Sequence, residues 1–173
     1  MTGRDADDTL TLMPLRTRLA VKIGSVSWMP RLLPQIVKYD NAVQRLTGQR
    51  YGLLDIAALP NITLQVPGRK SGIVRTTRLL TVPDGDDWLI AGSFFGGDTT
   101  PQWVGNIRAL DGRSFGVIYR GASRTVTAVE LHDDARAAAW QQLRSVWPNF
   151  DLYEQRTNRA IPLFRLTEVA TER

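Results

Sequence analysis

The 173-residue chain contains no cysteine and only one histidine, His132. Without cysteine, the chain can form no disulfide, no thiolate nucleophile and no cysteine-ligated iron–sulfur cluster. A single histidine leaves almost no material for a histidine-based metal site or a Ser-His-Asp triad, so we expect no metal. The Walker-type G-x-x-x-x-G-K-[ST] and the dinucleotide-binding G-x-G-x-x-G spacings are also absent. Any reaction that this chain catalyses is therefore expected to depend on a bound organic cofactor.

Long apolar runs are missing as well. No segment approaches the ~20 consecutive apolar residues that a membrane-spanning helix needs, and the polar residues 1–9 do not resemble a signal peptide. Hydrophobic residues form 43% of the chain, which is typical of a globular protein with a single core. We therefore expect one structural domain and a cytoplasmic location.

Acidic residues are absent from residues 10–39, where five lysine and arginine residues occur. Apolar residues between Leu15 and Val26 have helical spacing, which predicts an amphipathic helix within an N-terminal helical segment of residues 1–50. This helix either packs across the domain or lies, with Trp28, on an anionic membrane surface as a peripheral contact. Liposome co-sedimentation of the chain with and without residues 1–34 distinguishes the two interpretations.

The remainder of the chain, residues 51–173, reads as an α+β domain. Short alternating runs separated by tight turns predict about six mainly antiparallel strands, which favours a barrel or a sandwich with flanking helices. Helices are predicted over about 35–47 and 134–147, and a glycine-rich loop at 93–109 is expected to run into a short helix. The predicted strands are Ile62–Val66, Leu79–Val82, Trp88–Ser93, Phe115–Tyr119, Thr125–Leu131 and Ile161–Leu166.

A basic turn follows the first predicted strand. The turn is Gly68-Arg69-Lys70-Ser71-Gly72, and no acidic residue occurs from Asn61 to Pro83. Two glycines, a hydroxyl, a lysine and arginine forks in such a turn are typical of a cradle for an anion, although a basic hairpin tip that faces only water is the alternative. The formal net charge of +5 agrees with an anionic partner. Nucleic acid is not expected, because the chain lacks the recognition motifs of nucleic-acid-binding proteins.

Three motifs follow one another along about residues 55–167. The first is Gly68-Arg69-Lys70-Ser71-Gly72-x-x-Arg75, and the second is Pro101-Gln102-Trp103-x-x-Asn106-Ile107-x-Ala109. The third runs from Trp147-Pro148 to Tyr153 and then through Arg156-Thr157-Asn158-Arg159 to Ile161-Pro162. In this order they resemble the deazaflavin (F420)-dependent nitroreductase and quinone reductase family, whose signatures read G-R-K-[ST]-G-x-x-R, P-x-W-x-x-N-L-x-A and Y-x-x-Y-Q-x-[RK]-T-x-R-x-I-P.

The resemblance implies a split β-barrel with coenzyme F420 in a groove beside it. Such a protein is an oxidoreductase that passes a hydride from the reduced deazaflavin to a small-molecule acceptor, namely a quinone, an enone or a nitroaromatic compound. The cofactor joins a flat apolar ring to a phosphodiester and an oligoglutamate tail, so cations and amide donors suit its anionic part. The cofactor-binding residues that the resemblance implies are Gly68, Arg69, Lys70, Ser71, Gly72, Arg75, Thr77, Ser93, Trp103 and Asn106.

The acceptor side departs from the family pattern. Where well-known members carry two tyrosines over the ring, this chain has Trp147 and Phe150, which we predict as substrate-contacting residues together with Trp28. Tyr153 keeps its hydroxyl and is predicted as the catalytic proton donor or orienting group, although aromatic residues at this spacing are also typical of a core. Two other interpretations stay open: a non-catalytic cofactor- or lipid-binding protein of the same fold, and an oxidoreductase that binds FMN.

Overall fold

The computed structural model describes residues 59–170, together with Thr17 and Leu54. The predicted N-terminal segment, its membrane contact, Trp28 and the helix over about 35–47 lie outside the described residues and stay predictions. Within the described residues, no helix combines the length and the apolar character that crossing a bilayer requires.

The described chain forms one antiparallel sheet of seven strands, accompanied by three helices and a short 3-10 turn. The strands are β1 (Asn61–Pro67), β2 (Val74–Leu80), β3 (Val82–Asp84), β4 (Asp87–Ala91), β5 (Phe115–Tyr119), β6 (Ala122–Glu130) and β7 (Leu163–Glu168). Their order across the sheet is β2-β1-β5-β6-β7-β4-β3. The helices are α1 (Gln102–Arg108), α2 (Asp133–Val146) and α3 (Phe150–Arg156), and the 3-10 turn covers Phe94–Gly96.

The two edges of the sheet are brought together by the chain itself. β2 and β3 lie at opposite edges, yet only Thr81 separates them in the sequence. The sheet must therefore curl until its edges approach each other, and β2 accordingly contacts β4. Thr81 is fully buried; its N–H donates to the Pro60 carbonyl at 3.0 Å and its hydroxyl to the Leu89 carbonyl at 3.0 Å. This curvature confirms the predicted α+β barrel-like class.

Alternation along the strands separates two apolar clusters. In β4, Trp88 and Ile90 belong to the cluster inside the curled sheet, whereas Leu89 faces the cluster that α2 and α3 cover. Successive side chains of a strand point to opposite faces, so one strand supplies both clusters. β1 contributes Ile62 and Leu64 to the inner cluster, and both are fully buried. The predicted inward alternation of the first strand is therefore confirmed.

The structure differs from the sequence prediction at the second strand and after Pro148. β2 begins at Val74, earlier than the predicted Leu79, because Val74–Leu80 pairs along all of β1. This pairing recruits exposed residues that show no apolar alternation, and the chain beyond Thr81 pairs with β4 as a separate strand. α1 confirms the short helix expected within residues 93–109, and α2 confirms the helix predicted over about 134–147. α3 was not predicted.

Candidate functional site

The basic turn joins β1 to β2 through a tightly bonded backbone. The Gly68 N–H donates to the Ile73 carbonyl at 2.9 Å, and the Gly72 N–H donates to the Gly68 carbonyl at 2.8 Å. The Ile73 N–H also approaches the Ser71 hydroxyl oxygen at 3.4 Å. Gly72 has a φ of +67°, a left-handed conformation that glycine adopts without the steric cost of a side chain. The two predicted glycines and the serine therefore shape the turn.

The turn rests on helix α1, where the second motif lies. The backbone N–H of Arg69 donates to the side-chain oxygen of Asn106 at 3.1 Å, across 37 positions of the sequence. The Arg69 guanidinium lies over Gly105, and a Cβ at that position would collide with its Nη1 atom. The structure thus brings together the basic turn and Asn106, two features that the sequence places far apart.

The cations of the turn are available to an anion. Arg69, Lys70 and Arg75 are exposed, and among the described residues none of the three forms an ion pair with a carboxylate. Thr77 lies two positions after Arg75 on β2, so the two side chains share one face of the strand. Three exposed cations on one turn and its following strand fit the anionic part of a long phosphorylated cofactor.

Ser93 and Trp103 lie at the other side of α1. Ser93 is half-buried and follows Gly92, whose Cα faces the Val104 side chain of α1. Trp103 is only 6% exposed and packs edge-on against Phe164, with ring centroids 5.8 Å apart. Trp103 is therefore part of the core beneath α1, and it supports the helix from below instead of forming an open apolar wall.

The three aromatic residues predicted for the acceptor side lie in the second apolar cluster. Trp147, Phe150 and Tyr153 are 8%, 3% and 2% exposed. The indole N–H of Trp147 donates to the Tyr153 hydroxyl oxygen at 3.1 Å. Burial raises the pKa of Tyr153 to about 12, against the opposing effects of Trp147, the Arg156 charge and Asn149. Their predicted substrate and catalytic roles stay predictions, and their burial favours packing against the core.

Arg159 is a residue to which the sequence assigned no role. Its Nε donates to the Gly97 carbonyl at 3.0 Å, and its Nη2 donates to the Ser93 carbonyl at 2.8 Å. The side chain therefore connects the two ends of the loop that contains the 3-10 turn. Its membership of the third motif was the only signal in the sequence, because contacts across 62 and 66 positions leave no local pattern.

Comparison with known proteins identifies close similarity to one family. The sequence profile described as F420H(2)-dependent quinone reductase matches residues 37–168. An F420H(2)-dependent quinone reductase of Mycobacterium tuberculosis strain H37Rv is 32% identical over 142 residues, which cover 81% of this chain and 95% of that protein. The match therefore includes all three motifs and every described strand.

Solved structures show the same fold. The structure of an F420-H2 dependent reductase, FDR-A, superposes with a TM-score of 0.56 and 26% identity, covering 62% of this chain and 93% of that one. A domain-swapped dimer superposes with a TM-score of 0.58 and 24% identity, covering 73% of this chain and 94% of that one. The second similarity concerns the fold alone.

Proposed function

Because this chain belongs to the F420H(2)-dependent quinone reductase family, we propose that its basic turn binds coenzyme F420 and that its substrate is a quinone. The chain is an oxidoreductase. When bound, reduced F420 supplies a hydride, which is a proton with two electrons, to the acceptor. A quinone that accepts this hydride needs one further proton to become a hydroquinone. Enones and nitroaromatic compounds accept a hydride by the same chemistry and extend the proposed acceptor range.

The observation that carries the proposal is the junction of the basic turn with α1. Arg69 is held there twice, by its backbone bond to Asn106 and by the contact of its guanidinium with Gly105. Lys70 and Arg75 add exposed charge on the same turn and strand. We infer that this junction binds the phosphodiester and carboxylates of the cofactor, since charge-assisted hydrogen bonds to such groups are about twice as strong as neutral ones.

The remaining residues of the implied set divide into direct and supporting roles. We propose that Thr77 and Ser93, which are half-buried, offer hydroxyl groups toward the cofactor. Trp103 supports α1 from within the core, and Gly68, Ser71 and Gly72 maintain the turn. The protein thereby fixes the cofactor relative to the acceptor, and such positioning is the main contribution that a protein makes to hydride transfer.

The second proton of quinone reduction can come from solvent or from a side chain. Tyr153 was the predicted donor, but its hydroxyl is 3.1 Å from the Trp147 indole nitrogen and its pKa is raised to about 12. A group with so high a pKa is a weak acid near neutral pH. We therefore propose that solvent supplies the proton.

Fluorescence quenching of F420 by purified variants tests the binding site. Lys70→Ala and Arg75→Ala should each weaken F420 binding at least about tenfold, because each removes a charge partner of the bound anion. Arg120→Ala is the matched control. This substitution also removes one exposed positive charge, but far from the basic turn. Arg120 follows Tyr119, which pairs with Ile62 at the end of β1 opposite to the turn.

Unchanged affinity in both turn variants would refute the site, whereas equal weakening in Arg120→Ala would indicate a non-specific charge effect. Oxidation of reduced F420 is then followed with and without menadione. Binding without menadione-dependent oxidation would favour the non-catalytic interpretation. Tight binding of FMN in place of F420 would favour the flavin interpretation.

A further inference from the structure

The loop after β4 contains two consecutive phenylalanines in a left-handed backbone conformation. Phe94 has a φ of 48° and Phe95 a φ of 54°, values that non-glycine residues rarely adopt. Strain of this kind persists only where the surrounding structure imposes it, and it is concentrated at functional sites. The loop must therefore be held in place by contacts elsewhere.

Arg159 provides one of these contacts. Its guanidinium donates to the carbonyl before the strained pair, on Ser93, and to the carbonyl after it, on Gly97, at 2.8 and 3.0 Å. Its third nitrogen, Nη1, is buried and has no hydrogen-bond partner among the described residues. Burial accordingly lowers the pKa of Arg159. Arg159 thus connects both ends of the loop although its charged group is partly removed from water.

Helix α3 provides the second contact. The Phe95 ring packs edge-on against Tyr153, with centroids 5.6 Å apart. Gly96 lies so close to the Tyr153 backbone that a Cβ there would be 2.9 Å from both its Cα and its carbonyl oxygen. Phe95 and Gly96 are thus fixed against the core.

Phe94, in the same loop, is exposed instead of packed against the core. It is 38% exposed, which makes it one of the few large apolar side chains that the described residues present to solvent. Unlike the Phe95 ring, which packs against Tyr153, the Phe94 ring contacts the Gly97 position of its own loop. The fold therefore holds this loop in a strained backbone conformation that leaves the Phe94 ring accessible to solvent.

The loop that carries this ring begins at a contact with helix α1 of the candidate site. Ser93 precedes Phe94, and Gly92 before it packs against Val104 of α1. The next residue of α1, Gly105, supports the guanidinium of Arg69. Two consecutive residues of α1, Val104 and Gly105, thus contact the start of the Phe94 loop and the basic turn respectively.

We propose that Phe94 is a specificity-determining residue for the acceptor and that Arg159 is the positioning residue that presents it. This inference rests on the proposed function and names the side chain that contacts the apolar rings of a quinone. An aromatic ring recognises a flat apolar substrate by offset or edge-to-face packing. Acceptors with a fused ring system should gain more from this contact than acceptors with a single ring.

Steady-state kinetics with menadione and with p-benzoquinone test the proposal. Phe94→Gly removes the ring and also relieves the left-handed strain, so its melting temperature should be equal to or above that of the wild type. KM for menadione should rise about threefold to tenfold, the range expected for loss of one aromatic contact. KM for p-benzoquinone and the affinity for F420 should stay within about twofold.

Arg159→Lys keeps the charge but loses the planar fork that reaches two carbonyls. It should reproduce the selective rise in KM for menadione at unchanged F420 affinity. Val169→Ala is the matched control, because Val169 is 39% exposed and lies just beyond the end of β7. If Arg159→Lys does not fold, Phe94→Gly alone decides the question.

An unchanged ratio of the two KM values in Phe94→Gly would overturn this inference while leaving the proposed function intact. A wild-type chain that neither binds F420 nor reduces menadione would overturn both. A selective rise in KM without loss of stability would support Phe94, since a purely structural residue would lower the melting temperature instead.

Discussion

Tyr153 lies in helix α3 with only 2% of its surface exposed. Its hydroxyl oxygen accepts a hydrogen bond from the Trp147 indole N–H at 3.1 Å. Tyrosine is uncharged when protonated, so burial favours the protonated form and raises the pKa from 10.0 to about 12. The hydroxyl therefore stabilises the fold as an acceptor for a buried N–H.

Tyr153→Phe should leave that indole N–H unsatisfied and lower the free energy of unfolding by about 1–3 kcal/mol. Turnover with menadione should change less than about threefold, since general-acid catalysis by a positioned group is worth about 10²–10⁴ in rate. Urea unfolding and steady-state kinetics measure the two effects. A hundredfold loss of turnover in a folded variant would restore the acid role of Tyr153.

The raised pKa also makes stability depend on alkaline pH. The unfolded chain releases the Tyr153 proton near its ordinary pKa of 10.0, whereas the folded chain keeps it until about pH 12. The contribution of the protonated Tyr153 to the free energy of unfolding is fully present below pH 10 and is lost as the pH rises through 12. It amounts to at most about 2–3 kcal/mol. Unfolding curves at pH 9 and 11 should therefore show a smaller decrease for Tyr153→Phe than for the wild type.

Helix α1 is the element on which the candidate site depends. Its seven residues are too few for a stable isolated helix, so its position depends on packing and on side-chain anchors. Val104 and Ile107 are buried in the inner cluster, and Arg108 forms a two-pronged bond to Glu130 of β6 at 2.8 and 2.6 Å. With this face fixed, Gly105 and Asn106 are left to contact the basic turn.

Gly105→Ala should weaken F420 binding without destabilising helix α1. Alanine normally stabilises a helix interior by about 1 kcal/mol relative to glycine, but here its Cβ would displace the Arg69 guanidinium, the flexible end of a side chain. We expect an unchanged or raised melting temperature with F420 binding weakened at least about threefold, the loss of part of one charged contact.

A double-mutant cycle with Arg69→Ala provides the control for this prediction. If Gly105→Ala acts through Arg69, it should have little further effect once Arg69 is truncated. Additive losses in the double variant would show that Gly105 influences binding by another route.

At the scale of the whole molecule, the decisive feature is that one residue joins both edges of the sheet. Thr81 has no exposed surface, and its two hydrogen bonds link the connection between β2 and β3 to Pro60 and to β4. Because edge strands otherwise present unpaired backbone groups, the curvature limits how much free edge the sheet presents.

Thr81→Val should therefore destabilise the fold even though the two side chains are nearly equal in size. The buried Leu89 carbonyl would lose its hydroxyl donor, which should cost about 1–2 kcal/mol. Thr125→Val, at an exposed position of β6, is the control and should change stability by less than about 0.5 kcal/mol. Equal urea midpoints for the two variants would mean that the Thr81 hydroxyl contributes nothing to closure.

The sequence by itself determined the features that rest on local patterns. The alternation of Ile62, Leu64 and Val66 predicted β1, and the spacing of Trp140, Leu143 and Trp147 predicted α2. The absence of cysteine excluded thiol chemistry outright. The basic turn and the three ordered motifs indicated the family, because such signals are properties of short segments and survive without knowledge of the path of the chain.

Only the tertiary structure decided what those segments contact. The bond from Arg69 to Asn106 spans 37 positions, and the bonds from Arg159 to Gly97 and Ser93 span 62 and 66. Pairing with β1 turned the exposed start of β2 into a strand, and packing of α3 into the second apolar cluster buried Tyr153. Burial and long-range hydrogen bonds depend on which segments the curled sheet brings together, and no local spacing of residues encodes that outcome.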